Sequence, residues 1–212
     1  MHLRPDVHAA RVGQDIVLLD VGRGEYLCLA DAAQAFELPP AGPARILDPD
    51  LAEDAAALGL LGGGAQRPVS WPAAPRADLP TDAGRAIGPR DLADGLAVFA
   101  ALLRHYYGRA FPYLVAYAQR PRAAAAPVRL TPALTDQVQA FRRLLPWAPF
   151  QGVCLYRSFL LLAFLRRRGL DARWVFGVRT WPFEAHCWLQ ADDVVLDDTL
   201  DHVRPFTPIF AV

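Results

Sequence analysis

The chain has 212 residues, 53% of them hydrophobic and 21% charged, which is the make-up of a globular protein with a sizeable core and not of a disordered one. Its 22 basic and 22 acidic residues cancel, so it lacks the basic bias expected of a nucleic-acid or anionic-membrane binder. All the cations except the histidines are arginine, and Lys and Asn are both absent. This excludes a lysine Schiff base and leaves only Asp, Glu or Gln to orient a catalytic histidine, and it fits a GC-rich bacterial gene.

The N-terminus, Met1-His2-Leu3-Arg4-Pro5-Asp6, has no apolar signal core. Residues 7–29 then alternate as strands do. Val7–Val12, Ile16–Val21 and Glu25–Leu29 are separated by Gly13-Gln14-Asp15 and Gly22-Arg23-Gly24, which predicts a three-stranded antiparallel meander. Asp31 is placed to cap a short helix through Leu38. Asp48 is a second N-cap, followed by Pro49 and by Asp50 and Glu53. Leu51, Ala55, Leu58 and Leu61 give that helix an apolar stripe, closed by Gly62-Gly63-Gly64. A sheet this small has an edge that must be blunted or used to receive a peptide strand. Residues 1–64 therefore read either as a structural lobe or as a peptide-binding domain.

Residues 65–89 are rich in Gly, Pro and Ala without periodicity and read as a linker, with Trp71 free to dock elsewhere. Helices are predicted over Leu92–Tyr106, Phe111–Ala118 and, capped by Thr131 and Pro132, Ala133–Leu145. His105 lacks nearby partners and reads as structural. The main apolar helix covers 153–168, ends in Arg166-Arg167-Arg168-Gly169, and is too short and too charged to span a bilayer. Strands follow at 172–178, 184–190 and 194–198.

The three cysteines, Cys28, Cys154 and Cys187, are odd in number and irregularly spaced, which argues for a reducing cytoplasm and against a disulfide framework or zinc site. Cys154 sits at the first turn of the main helix, where unpaired backbone N–H groups and the helix dipole stabilise a thiolate. His186 on one strand and an aspartate on the next complete the needs of a thiol nucleophile: a base, and an acceptor fixing that base's tautomer. A three-residue loop Ala191-Asp192-Asp193 would set Asp198 opposite His186. A two-residue loop would instead put Asp197 on the His186 face, one diagonal away. Asp198 is the preferred acceptor. Cys187 points away from His186 as a packing residue. Gln151 is a candidate second donor to an oxyanion, beside the Cys154 N–H.

The run Cys154-Leu155-Tyr156-Arg157-Ser158, then Leu165-Arg166-Arg167-Arg168-Gly169, then Ala185-His186-Cys187-Trp188, resembles the transglutaminase-like cysteine-peptidase domain of lasso-peptide biosynthesis B proteins. Gly24-Glu25-Tyr26-Leu27-Cys28-Leu29 and Leu58-Gly59-Leu60-Leu61 are similar to the precursor-recognition domain of ribosomal-peptide maturases. The resemblance implies an α+β chain: a small winged-helix-like three-stranded sheet with helices (1–64), the linker (65–89), and a papain/transglutaminase-like domain (90–212). It implies a cytoplasmic enzyme without metal or cofactor. The N-terminal domain would bind a lasso precursor's leader as an added strand, through Tyr26, Leu27, Cys28, Leu29, Leu51, Ala55 and Leu58. Cys154, His186 and Asp198 would cleave leader from core, and a partner ATP-dependent, asparagine-synthetase-like cyclase would close the macrolactam on the freed amine. Two other functions share these residues: acyl transfer to an amine, and a non-catalytic peptide chaperone.

Overall fold

In the computed structural model, residues 1–39, 42–64, 69, 71–80, 86–105, 111–120, 128–147 and 154–212 are described. Every residue of strand β2 (Asp15–Asp20) is buried, and this organises the N-terminal part. β2 pairs antiparallel with β1 (Val7–Val12) on one side and β3 (Glu25–Leu29) on the other, as the meander pattern predicts. Its unbroken run Ile16-Val17-Leu18-Leu19 is apolar on both faces because both faces are covered. Ile16 and Leu18 enter a small core with Leu3, Val7, Ile46, Ala52 and Ala55. Val17 and Leu19 enter the main core of the molecule. β3 pairs only with β2, and among the described residues no strand covers its other edge.

The helix expected over Asp31–Leu38 does not form. Asp31 takes a left-handed φ of +53°, outside the extended region that an N-cap requires, and its N–H donates to Asp15 Oδ1 at 3.0 Å. Only a 3-10 turn, Ala33–Ala35, follows. The chain then runs extended as β4 (Phe36–Glu37), paired with β5 (Arg45–Ile46), because burying Phe36 and Ile46 in the small core outweighs local helix propensity. Helix α1 (Pro49–Ala57) is capped as expected, with Asp48 accepting from the N–H groups of Asp50 and Leu51 at 2.9 and 3.1 Å. It stops at Gly59, whose φ is +67°, before the triple glycine. Its inward face is Ala52 and Ala55, whereas Leu58 of the expected stripe is 51% exposed.

Part of the stretch read as linker is built into a second sheet. β6 (Ala77–Asp78) pairs in parallel with β9 (Val194–Val195). With β7 (Arg173–Arg179), β8 (Glu184–Ala191) and β10 (Thr207–Ala211) they form a five-stranded sheet in the order β10-β7-β8-β9-β6. Among the described residues, four α-helices lie between β6 and β7 in the chain: α2 (Pro89–His105), α3 (Phe111–Ala118), α4 (Pro132–Leu144) and α5 (Cys154–Arg166). A short helix α6 (Leu200–Val203) precedes β10, and neither was anticipated.

From Phe159 to Leu165 helix α5 is apolar on every face, and such a stretch has to be buried on every side. Phe159 through Leu165 are at most 3% exposed, sandwiched between Trp174, Phe176 and Leu189 of the sheet and Val98, Leu102, Val138 and Phe141 of α2 and α4. Its terminal arginines do more than meet the helix dipole. Arg166 donates to the Tyr117 and Ala118 carbonyls, both at 2.7 Å, and Arg167 and Arg168 bind the buried Asp94 and Asp91 of α2. Besides Val17 and Leu19, side chains at the edges fasten the N-terminal sheet to this body. The His8 ring lies 4.5 Å from that of Phe210 on β10, and Trp181, in the β7–β8 turn, donates from Nε1 to Asp15 Oδ2 at 2.8 Å. Among the described residues no helix is long and apolar enough to cross a membrane.

Candidate active site

Cys154 opens helix α5, and Arg157 and Ser158 follow it at the spacing that puts three side chains on one helical face. That face meets β8 and the segment joining β9 to α6. The register Gln190↔Val195 and Ala191↔Val194 makes Asp192-Asp193 a two-residue turn, with Asp192 at φ +50°. The three-residue loop is therefore corrected. In a continuing strand this register would favour Asp197, but β9 stops after Val195 and the chain bends.

The bend separates the two aspartates. Asp197 is drawn inward, where its Oδ1 accepts the Leu189 N–H at 2.7 Å and its Oδ2 accepts the Ser158 hydroxyl at 2.5 Å. It occupies the place a strand carbonyl would have taken. Asp198 is released from the ladder, and its Oδ2 lies 2.7 Å from His186 Nε2. Cys154, His186 and Asp198 are thus brought together, the last by a different route from the one expected.

Burial and charge fix the protonation of this group. The Cys154 thiol is lowered to about 4, first by a hydrogen bond from Cys187 and then by His186, against the opposing effect of burial. Cys187 is fully buried, which pushes its own thiol up, so it keeps its proton and donates it. It is buried in the core as foreseen, yet it also touches Cys154. Burial disfavours a charged His186, but Asp198 and then Cys154 outweigh it and raise the ring to about 9. With Nε2 on Asp198, Nδ1 is the nitrogen left for the sulfur. Asp198 lies well below the usual carboxylate range, because hydrogen bonds from His186, His202 and the Thr199 N–H overcome its burial. Asp197 is pushed up, mainly by burial. These shifts, Cys154 and Asp198 down and His186 up, all favour a thiolate, an imidazolium and a carboxylate.

The His186 ring is walled by Phe206, centroid to centroid 5.1 Å, and by Trp188 at 6.2 Å. Gly177 pairs with His186 across β7 and β8, and a Cβ there would lie 2.9 Å from atoms of both Phe206 and Trp188. Two residues at the site were not singled out from the sequence. His202 Nδ1 is 2.9 Å from Asp198 Oδ1, and Arg157 Nη2 donates to Asp198 Oδ2 at 3.0 Å. The available signals were helical spacing: Arg157 three residues after Cys154, and His202 four after Asp198. Donor atoms of His186, Asp198 and His202 lie within 4.8 Å of one another. The Arg157 cation on the same carboxylate and the charged His186 oppose a further cation, and we assign no metal there.

Gln151 lies outside the described residues, as does the side chain of His105. On β3, Leu27 is 36% exposed, Cys28 is exposed, and Tyr26 and Leu29 are partly buried. Tyr26 packs against the main core as Cys154 does, and its ring is 6.1 Å from Phe183 of the β7–β8 turn. On α1, Ala55 is turned into the small core, Leu51 is partly buried against it, and Leu58 at the helix end is exposed.

The family model described as the transglutaminase-like superfamily matches residues 96–211, over half of the chain, and takes in α5, β7, β8, β9 and all three of Cys154, His186 and Asp198. The chain belongs to the transglutaminase-like superfamily. It is also similar to the microcin J25-processing protein McjB of Escherichia coli, with 41% identity over 49 residues, which are 23% of this chain and 24% of that protein. The match therefore spans about a quarter of that relative's length. No solved structure matches the chain. In this superfamily member the geometry suits acyl chemistry. A thiolate at a helix N-terminus can attack a carbonyl, and an imidazolium held by a carboxylate can hand its proton to the departing group.

Proposed function

We propose that this protein is the leader peptidase of lasso-peptide maturation, a cytoplasmic cysteine peptidase of the transglutaminase-like superfamily. The observation that carries the reading is the charged trio Cys154, His186 and Asp198 at the start of α5, with Asp198 2.7 Å from His186. The Cys154 thiolate attacks the carbonyl at the leader–core junction. The α5 N-terminus, with the Cys154 N–H and Gln151, steadies the oxyanion. His186 gives its proton to the leaving amine, which is the N-terminus of the core. Water, deprotonated by His186, then releases the leader from the sulfur. The freed core amine is the nucleophile that an ATP-dependent, asparagine-synthetase-like cyclase needs to form a macrolactam.

The N-terminal sheet with α1 acts as a winged-helix-like recognition module over residues 1–64. Support for this comes from the edge of β3 that no described strand covers, and from Leu27 on β3 and Leu58 at the end of α1, both exposed. A leader added as a strand beside β3 raises the effective concentration of the scissile bond at an active site with little selectivity of its own. The McjB name, which refers to processing of microcin J25, points the same way.

The test is incubation with the lasso precursor, with and without the cyclase, of wild type and Cys154→Ala, read by intact mass. Loss of a leader-sized fragment in wild type alone is expected. Cleavage by both proteins, or by neither with the cyclase present, overturns the peptidase reading. A product joined to an added amine would replace hydrolysis by acyl transfer.

A further inference from the structure

Asp198 carries more partners than one histidine requires. Its two oxygens face His186 from β8, His202 from α6 and Arg157 from α5, and Oδ1 also accepts the Thr199 N–H at 2.8 Å. The neighbouring Asp197 is the like charge on its inner side. His202 reaches Asp198 from one helical turn along the chain, at 2.9 and 3.0 Å to its two oxygens, and its ring centroid is 4.5 Å from that of His186. Arg157 stands one turn below Cys154 on α5.

A carboxylate fixed only by the histidine it serves would be free to turn about its side-chain bonds. The need for a fixed carboxylate is greater here because Asp198 has left the β ladder. Strand β9 ends at Val195 and the last backbone bond to β8 is from the Leu196 N–H to the Leu189 carbonyl at 2.9 Å, so among the described residues no ladder bond holds Asp198 itself at the distance His186 needs. Side chains have to replace that support. Arg157 anchors the bend to the helix carrying the nucleophile, and His202 anchors it to the next element of the chain.

We propose that His202 and Arg157 are positioning residues that clamp Asp198 onto His186, a role that rests on the cysteine-peptidase reading of the site. Neither needs to touch substrate. Their effect passes through Asp198 to the charge on His186 and from there to the Cys154 thiolate. The sign of that effect separates clamping from simple electrostatics. If Arg157 acted only as a nearby cation, removing it would make the His186 imidazolium easier to keep, and its midpoint would rise. If it acts as a clamp, removing it lets Asp198 drift, and the midpoint falls toward that of a free histidine.

The experiment uses the full chain labelled at histidine, whose five side chains are few enough to follow singly by NMR against pH. His202→Leu and Arg157→Met are compared with wild type and with Asp198→Ala. His202→Asn keeps an N–H donor where Nδ1 stands and serves as the rescue. His202 is half exposed and its replacement is compatible with folding, which a urea curve checks for each variant. The His186 midpoint is expected to fall by about one pH unit in His202→Leu and in Arg157→Met, in the same direction as in Asp198→Ala but by less. His202→Asn should restore most of that fall. With precursor present, kcat should drop roughly tenfold with KM little changed, the pattern for a group acting on the reacting state alone. A His186 midpoint that stays in place or climbs in folded variants overturns the proposal. The titration needs no substrate, so the two ideas fail separately. A shifted midpoint without precursor cleavage in wild type sinks the peptidase reading and leaves the clamp. Cleavage with an unmoved midpoint does the reverse.

Discussion

Asp197 and Asp198 are chemically identical neighbours, and the structure assigns them opposite surroundings, which makes the pair Asp197→Asn and Asp198→Asn a sharp perturbation. The His186 ring is raised to about 9 from an ordinary 6.5, and Asp198 is the foremost of the groups that raise it. At 1.36 kcal/mol per pH unit this rise represents about 3 kcal/mol of imidazolium stabilisation, shared with Cys154. Replacing the Asp198 charge therefore forfeits between about 1 and 3 kcal/mol, or roughly 5- to 150-fold in rate when that imidazolium is the proton donor. The asparagine also presents an N–H in place of one oxygen, which adds to the loss when it faces His186. Asp197 is bonded to Ser158 and Leu189 while His186 is bonded to Asp198, so under the proposed mechanism Asp197→Asn leaves the proton donor alone. It does disturb a buried acceptor of the Ser158 hydroxyl and the Leu189 N–H, and about 1–3 kcal/mol of folding stability should go with it. The assays are the rate of precursor cleavage and a urea unfolding curve for each variant. Activity should fall in Asp198→Asn with stability mostly kept, and stability should fall in Asp197→Asn with cleavage mostly kept. Equal loss of cleavage in the two variants, both folded at the assay temperature, would refute the assignment.

Two further outcomes follow from other parts of the molecule. His8 is buried between the sheets, where desolvation lowers it to about 4 against 6.5 when unfolded. The unfolded chain therefore binds the extra proton between those values, and stability falls as pH drops from 6.5 toward 4, by about 2 kcal/mol at pH 5. Urea curves at pH 7 and pH 5 should show this loss in wild type and not in His8→Gln, and equal losses in both would remove His8 as the cause. At Gly177 an added methyl would meet Phe206 and Trp188 at 2.9 Å, and both flank His186. Gly177→Ala should cost about 1–3 kcal/mol and lower kcat, measured by urea unfolding and precursor cleavage, and an unchanged protein would mean that those rings yield freely.

Short-range chemistry made much of this protein legible in its sequence. Gly-containing turns between apolar runs are enough to specify the β1–β3 meander, and Asp48-Pro49 and Thr131-Pro132 carry their capping in the residues themselves. A cysteine leading a mostly apolar segment marks a helix N-terminus, and His186 follows on a strand for the same local reasons. Longer-range competition decided the rest. Asp31 lost its helix because Asp15, Phe36 and Ile46 offered better partners from elsewhere in the chain. The continuous apolar run of β2 did not say how many layers would cover it; the docking of a second core against Val17 and Leu19 did. The choice of Asp198 over Asp197 was beyond hairpin arithmetic, since the register that forms favours Asp197. Ser158 and the Leu189 N–H claim that residue first, the strand ends, and Asp198 is left to meet His186, His202 and Arg157. Spacing along a chain can set which side chains share a face, but which of two like carboxylates each donor takes depends on donors brought from α5, β8 and α6, and these meet only in the folded molecule.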